Sequence, residues 1–327
     1  MTITRAACIG GGVIGGGWIA RLALNGIDVT VYDPHPEAKR KVDEVMKNAR
    51  RAYKRMAVKG LPKEGKVTYA ASIAEAVKDA DFIQESVPER LDVKLKTLAE
   101  IEAAAPADAL IGSSTSGFKA THMAKDMKHP ERFLAAHYFQ PAEVFPMVEV
   151  VAGEKTDQAL LDRVAEAMKR TGKQPVVMRK PIVGFLINRL QHAVLHEAYW
   201  MVSQGACTVE DVDDVARQML GPRMCITGLI LQKDIGGLAI HAKAQQGIVP
   251  HLAHDSTPNP DVQAMIAAGG TGLAAGRGFY DWSACDAKAV RQQATGRLNA
   301  LLDFLKGLTK TSAPKTDPVP RDIRTAR

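Results

Sequence analysis

The apolar positions of this chain fall into two kinds of pattern, and the pattern changes once along its length. In the first half, short apolar runs alternate with longer stretches of helical spacing. Residues 6–9, 28–32, 67–70, 82–87, 109–114, 133–136 and 147–151 read as strands, and 175–178 closes the series. Between them, 18–24, 37–59, 73–78, 93–104 and 157–171 carry the period of amphipathic helices. Such alternation predicts an α/β domain built on a parallel, doubly wound sheet. From Gly184 the pattern is helical: 188–204, a helix opened by Thr208 as N-cap, 226–238, 260–268 and 298–308. Arg179-Lys180-Pro181 marks the change. The chain is thus expected to fold as an α/β domain over 1–181 and an all-helical domain over 182–308. A basic tail, 309–327, rich in Pro, Thr and Ser, is expected to be disordered.

The first strand runs into Gly10-Gly11-Gly12-Val13-Ile14-Gly15. G-x-G-x-x-G falls on Gly10, Gly12 and Gly15, after a strand and before a helix. The next strand ends in Asp33. That context makes the motif a Rossmann-like dinucleotide fingerprint. Gly10 allows the tight turn, Gly12 the approach of a pyrophosphate, and Gly15 close packing of helix on strand. The helix start, with Val13 and Ile14, offers unpaired N–H groups to the anion. Asp33 suits a free ribose 2′-hydroxyl and repels a 2′-phosphate, and Pro34-His35-Pro36 brings no arginine to receive one. NAD is the expected cofactor.

A second candidate lies at Ala136-His137-Tyr138-Phe139-Gln140-Pro141 and, beyond it, Met147-Val148-Glu149-Val150-Val151. Glu149 stands inside an apolar run, where a carboxylate is costly without a partner. His137 is the obvious partner, and a histidine held by a carboxylate is a general base. The competing reading puts Glu149 at a solvated strand end and His137 in the core. Ligands of doubly wound sheets bind beyond the C-terminal strand ends. Glu89, Ser116 and His137 all follow predicted strands, which favours function.

Composition narrows the classes. The 327 residues are 46% hydrophobic and 24% charged, typical of a globular protein. No run of about 18 apolar residues suggests a membrane span, and the first residues read as a strand, so no signal peptide is expected. Cys8, Cys207, Cys225 and Cys285 lack C-x-x-C spacing, which predicts free thiols in a reducing cytoplasm and no zinc site. His192 and His196 have helical metal spacing, but Ala193 stands where a zincin has Glu, so no metal is expected. The net charge of +7 sits in the tail and in residues 39–66. Neither block has the interleaved aromatics of a nucleic-acid surface, so neither nucleic acid nor membrane is an expected partner.

Taken together, several stretches resemble the 3-hydroxyacyl-CoA dehydrogenase family, in its order and spacing over about residues 3–282. They are the glycine turn with Asp33, Glu85-Ser86-Val87-Pro88-Glu89, Ser113-Ser114-Thr115-Ser116, His137-Tyr138-Phe139-Gln140-Pro141, Val148-Glu149-Val150, Gly184-Phe185-Leu186-Ile187-Asn188-Arg189 and Gly276-Arg277-Gly278-Phe279-Tyr280. The resemblance implies an NAD-dependent oxidoreductase with a Rossmann domain and a helical domain that forms a homodimer. It implies His137 as base, Glu149 as its partner, and Ser116 and Asn188 near the reacting oxygen. It also implies Glu89 and Lys94 beside the cofactor. Gln140 departs from the family's asparagine.

Within the family, Gly221-Pro222-Arg223-Met224-Cys225-Ile226-Thr227-Gly228 is similar to the branch of carnitine dehydrogenases and lambda-crystallin, whose substrates are free acids. The expected substrate is a small 3-hydroxy acid, carnitine-like, oxidised to the 3-oxo acid. Arg223 would enter the pocket near Asn188 and pair with its carboxylate. Competing roles for Arg223 are a helix cap or a pair with Asp234. Gln140, Tyr138 and Phe139 complete the expected substrate set, with Phe145 and Tyr199 as further aromatic faces for a quaternary ammonium. Three alternatives stay open: a short-chain 3-hydroxyacyl-CoA dehydrogenase, a gulonate 3-dehydrogenase, and a structural NAD-binding protein.

Overall fold

The computed structural model describes residues 3–55, 58, 60–139 and 145–308. It divides into two compact units, Met1–Ala193 and Val194–Arg327. The expected tail, 309–327, and Gln140 lie outside the described residues.

The first unit is an eight-stranded sheet: β1 (Arg5–Ile9), β2 (Asp28–Tyr32), β3 (Val67–Tyr69), β4 (Phe82–Glu85), β5 (Leu110–Ser113), β6 (Phe133–His137), β7 (Met147–Ala152) and β8 (Gln174–Met178). The order is β3-β2-β1-β4-β5-β6-β7-β8. The order reverses between β1 and β4, which creates the crevice where doubly wound sheets bind ligands. All eight strands were expected. The sheet departs from a fully parallel one at its end: β7 pairs antiparallel with β6, and β8 follows β7.

Helices cover both faces because the strands are apolar on both. Alternate strand residues go to opposite sides. Ala6, Cys8, Leu134 and Ala136 join α1 (Val13–Ala23), α2 (Ala38–Arg55) and, after β7, α6 (Gln158–Arg170) in one core. Ala7, Ile9, Phe133 and Ala135 join α3 (Ile73–Val77), α4 (Leu91–Ala104) and α5 (Ala120–Met123) in the other. Trp18 on α1 is wholly buried and stacks on Tyr138.

The division between units falls inside α7 (Ile187–Ser203). Beyond it run α8 (Val209–Val215), a π-helical turn (Ala216–Leu220), α9 (Gly221–Thr227), α10 (Leu231–Gly236), α11 (Leu238–Ile248), α12 (Pro260–Ala267) and α13 (Ala287–Leu308). Thr208 caps α8 as expected, within a reciprocal capping box with Asp211. The helix expected over 226–238 is instead broken twice. Gly228 and Gly237 have φ of 72° and 94°, a left-handed backbone that ends a helix.

Candidate active site

The turn after β1 behaves as its glycines require. Gly10 has φ of 103°, and a Cβ there would stand 2.6 Å from the Ser86 carbonyl oxygen. A Cβ on Gly15 would meet the Gly10 carbonyl oxygen at 1.9 Å. Helix and strand therefore approach this closely only without side chains. At Gly12 a Cβ would meet nothing within 4 Å, because that position opens onto a cavity of about 900 Å³. Gly12 is also the N-cap of α1 and supplies no side-chain cap. The first-turn N–H groups are left for an anion.

The same cavity is lined by Gly10, Gly11, Val13, Ile14, Asp33, His35, Ser86, Glu89 and Ser116, among others. Asp33 is set by the backbone: its Oδ2 accepts from Gly11 N at 2.7 Å and its Oδ1 from His35 N at 2.8 Å. Each oxygen keeps a lone pair for a ribose hydroxyl. Open helix start, missing side chain and fixed carboxylate together fit a dinucleotide.

Glu89 ties the far end of the cavity together. Its Oε1 accepts from Thr115 Oγ1 at 2.7 Å, Ser116 N at 3.0 Å and Gly117 N at 2.9 Å. Partial burial opposes its charge. The Thr115 hydroxyl, the Gly117 N–H, the Lys94 ammonium and the Ser116 N–H outweigh burial and hold the carboxyl below its usual range. Lys94 lies under this wall rather than on it. It is 1% exposed, and its Nζ reaches Glu85 at 2.9 Å and Glu89 at 3.3 Å. Glu85 is the residue missed in the sequence. It is a carboxylate in a buried strand, the same signal that singles out Glu149, and Lys94 and Ser113 are its partners.

His137 ends β6, and the antiparallel register of β7 sets Glu149 directly opposite it. His137 Nδ1 and Glu149 Oε2 are 2.8 Å apart. Glu149 is 0% exposed, so it does not stand at a solvated strand end. Its Oε1 accepts from Leu186 N at 2.8 Å and Ile187 N at 2.9 Å, at the start of α7. Burial pushes its pKa up, but the bond to His137 and those two N–H groups win and hold it below the ordinary carboxylate range. Among the described residues nothing takes His137 Nε2, so that nitrogen remains for a ligand.

Two sets thus form. Gly10, Gly12, Val13, Ile14, Asp33, Glu89 and Ser116 share the cavity, while His137 and Glu149 form a pair. β4, β5 and β6 are parallel neighbours, so the segments carrying Glu89, Ser116 and His137 leave the sheet at one edge. Asn188 is half-buried on α7. Phe139 meets the His137 ring edge-on at 4.8 Å.

Tyr138 requires a correction. It is 2% exposed, its ring stacks 3.8 Å from Trp18, and Lys173 Nζ stands 4.3 Å from its centroid. It is a core residue, out of reach of a substrate. Tyr199 stacks on Phe279 at 5.3 Å. Arg223 is exposed on α9, and its Nε and Nη2 bond to the amide oxygen of Gln232. Among the described residues it forms no ion pair with Asp234 or any other acid. No group of three His, Cys, Asp or Glu among them could hold a metal. No described helix is long and apolar enough to cross a membrane.

Comparison with known proteins places this geometry. The family model for the 3-hydroxyacyl-CoA dehydrogenase NAD binding domain matches residues 5–181, and that for the 3-hydroxyacyl-CoA dehydrogenase C-terminal domain matches 184–282. An L-carnitine dehydrogenase of Mesorhizobium japonicum is 55% identical over 236 residues, 72% of this chain and 65% of that protein. An L-carnitine dehydrogenase/betainyl-CoA thioesterase of Rhizobium meliloti is 50% identical over 72% of this chain and 48% of its own length. The chain thus spans only about half to two thirds of these two relatives. An L-carnitine dehydrogenase of Pseudomonas aeruginosa is 36% identical over 95% of this chain and 96% of that protein. Among solved structures, 5-formyl-3-hydroxy-2-methylpyridine 4-carboxylic acid 5-dehydrogenase, described as an NAD+-dependent dismutase, superposes with a TM-score of 0.89. It is 29% identical and covers 94% of this chain and 99% of its own.

Proposed function

The chain belongs to the 3-hydroxyacyl-CoA dehydrogenase family, and we propose that it is an NAD-dependent dehydrogenase oxidising the 3-hydroxyl of a small free acid, carnitine-like in chemistry. The observation that carries this is the His137–Glu149 pair, at the sheet edge where the glycine-turn cavity opens. The turn of residues 10–15, Asp33, Glu89 and Ser116 would hold the cofactor. When bound, it would supply the acceptor for the hydride that leaves the carbinol carbon.

The chain's own residues do the rest. His137 Nε2 takes the hydroxyl proton as the C–O bond gains double-bond character. Glu149 holds the ring by Nδ1 and balances the imidazolium charge, and Ser116 and Asn188 orient the substrate oxygen. General-base help of this kind is worth about 10²–10⁴-fold, and positioning supplies much of the remainder.

A free acid is favoured over a thioester by Arg223, an exposed guanidinium without an ion-pair partner among the described residues, and by the relatives' names. L-carnitine and a pyridine carboxylic acid both carry a free carboxylate. We propose that Arg223 binds that group. The free thiols Cys8, Cys207, Cys225 and Cys285 support a cytoplasmic setting. A homodimer formed through residues 182–308 is supported by the apolar faces of the second unit. The deciding experiment is a screen of the purified chain with NAD against L-carnitine, other 3-hydroxy acids and 3-hydroxybutyryl-CoA, reading NADH. Turnover confined to the thioester overturns the free-acid reading. No turnover with any substrate, with NADH still bound, favours a structural role.

A further inference from the structure

Phe185 is the one non-glycine residue described with a positive φ, at 50°, and it follows Gly184 at φ 77°. The left-handed region is strained for a bulky side chain. A glycine would adopt it freely, yet the residue here is a phenylalanine, 1% exposed. The backbone and the ring each have a neighbour that explains this. The turn that Gly184 and Phe185 make brings the N–H groups that follow it to one side, where they can serve a single anion. Here those are Leu186 N and Ile187 N, and both donate to Glu149 Oε1. The ring meets the His137 imidazole edge-on, with centroids 5.5 Å apart.

We propose that Phe185 is a positioning residue for the His137–Glu149 pair, its turn delivering two N–H groups to the carboxylate and its ring fixing the imidazole. This rests on the reading of His137 as the base. The surroundings leave the pair isolated. β8 offers Val176 opposite Glu149, and Phe139 closes the other side of His137. The nearby Arg189 is exposed and donates to Val183 O. Among the described residues no other ionisable side chain bonds to either member.

The two N–H donors stabilise the ionised Glu149 carboxylate, so they lower its affinity for a proton. Disturbing the turn raises that affinity. Oxidation needs the pair unprotonated, so the acid limb of the pH profile then moves to higher pH.

The test uses the full chain and three variants. Phe185→Gly keeps the turn and removes the ring. Its acid limb stays in place while kcat falls roughly ten- to hundred-fold from a loosened imidazole. Phe185→Val resists a positive φ, and its limb moves up by about one to two pH units. Alanine replaces valine in the test if the valine variant does not fold. Phe185→Leu restores most of kcat. The His137 ring is also titrated by nitrogen-detected NMR without cofactor or substrate, which reads the pair independently of turnover. Full activity in His137→Ala sinks the base assignment and leaves the NMR result to judge Phe185. An unmoved His137 titration in the folded valine or alanine variant overturns the role of the turn, and wild-type kcat in Phe185→Gly overturns the role of the ring.

Discussion

The two units of the chain use their apolar residues in opposite ways. In the first, Trp18, Phe82 and Phe133 are each 0% exposed, because a sheet with helices on both faces has two cores to fill. In the second, only Ala198 and Asn299 are buried among the described residues, while Ile230, Ile240 and Ile235 are 77%, 71% and 70% exposed. The hydrophobic side chains are present in both; what differs is whether an element stands against them. Apart from α7 and α13, the second unit's helices run 6 to 11 residues, too short to be stable without packing. The first unit can be stabilised from within. The second leaves its apolar faces open, and the proposed homodimer would cover them with matching faces across a two-fold axis.

The largest effect expected follows from that contrast. Each fully buried isoleucine contributes about 1.5–3 kcal/mol, and each position counts twice in a symmetric dimer. Ile230→Asp combined with Ile240→Asp should convert the protein to monomers in sedimentation. Its second unit should then unfold while NADH binding to the first survives. A wild-type chain that sediments as a monomer would break the comparison at once.

The chemistry is tested next, in each unit separately. His137→Ala in the first unit should lose about 10²–10⁴ in kcat with NADH affinity unchanged. Arg223→Met in the second should raise the KM for the free acid by a factor corresponding to roughly 2–4 kcal/mol, leaving any acyl-CoA activity nearly unaltered. Unchanged free-acid kinetics in Arg223→Met would return the chain to the thioester enzymes.

A smaller effect belongs to Asp33. Its variant Asp33→Ala loses the proposed acceptor for the ribose and also the bonds to Gly11 N and His35 N. NAD affinity should fall by roughly ten- to hundred-fold, as for a charged hydrogen bond of about 1.5–3 kcal/mol. The preference over NADP should erode, and equal use of both cofactors by the unaltered chain would rule out the assigned role of Asp33.

The contrast between units also explains what could be read in the sequence. The strands and the glycine turn were legible because local rules and the fold agree there. The His137–Glu149 pair was legible because a carboxylate in an apolar run must have a partner. The reversal of β7 was not, since an apolar run looks the same in either direction. Tyr138 lies in the core although it adjoins His137, because strand alternation turns consecutive residues to opposite sides. The breaks at Gly228 and Gly237 carried a local signal, a glycine within a helical pattern. It was outvoted by the apolar faces of residues 226–238, which in this unit remain exposed.

The smallest effect expected is on acid stability, and it too separates the units. In the first, Asp81 has its carboxyl pKa lowered although burial works against it. The N–H groups of Thr4 and Arg5 and the Thr4 hydroxyl, each at 2.9 Å, outweigh that burial. Glu89 and Glu149 are lowered in the same way. In the second unit the lowered carboxyls, Asp211 and Asp281, are solvent-exposed and bonded locally to Thr208 and Ser283. A group whose folded pKa lies below its unfolded value stabilises fully above the unfolded value, about pH 4. That contribution is lost as pH falls through the folded value. Acid titration below about pH 4 should therefore weaken the first unit more than the second. Asp81→Asn should lower the first unit's stability at neutral pH by roughly 1 kcal/mol and flatten its loss in acid. An Asp81→Asn chain whose first unit loses stability in acid as steeply as the unaltered chain would show that the three bonds to Thr4 and Arg5 do not set this dependence.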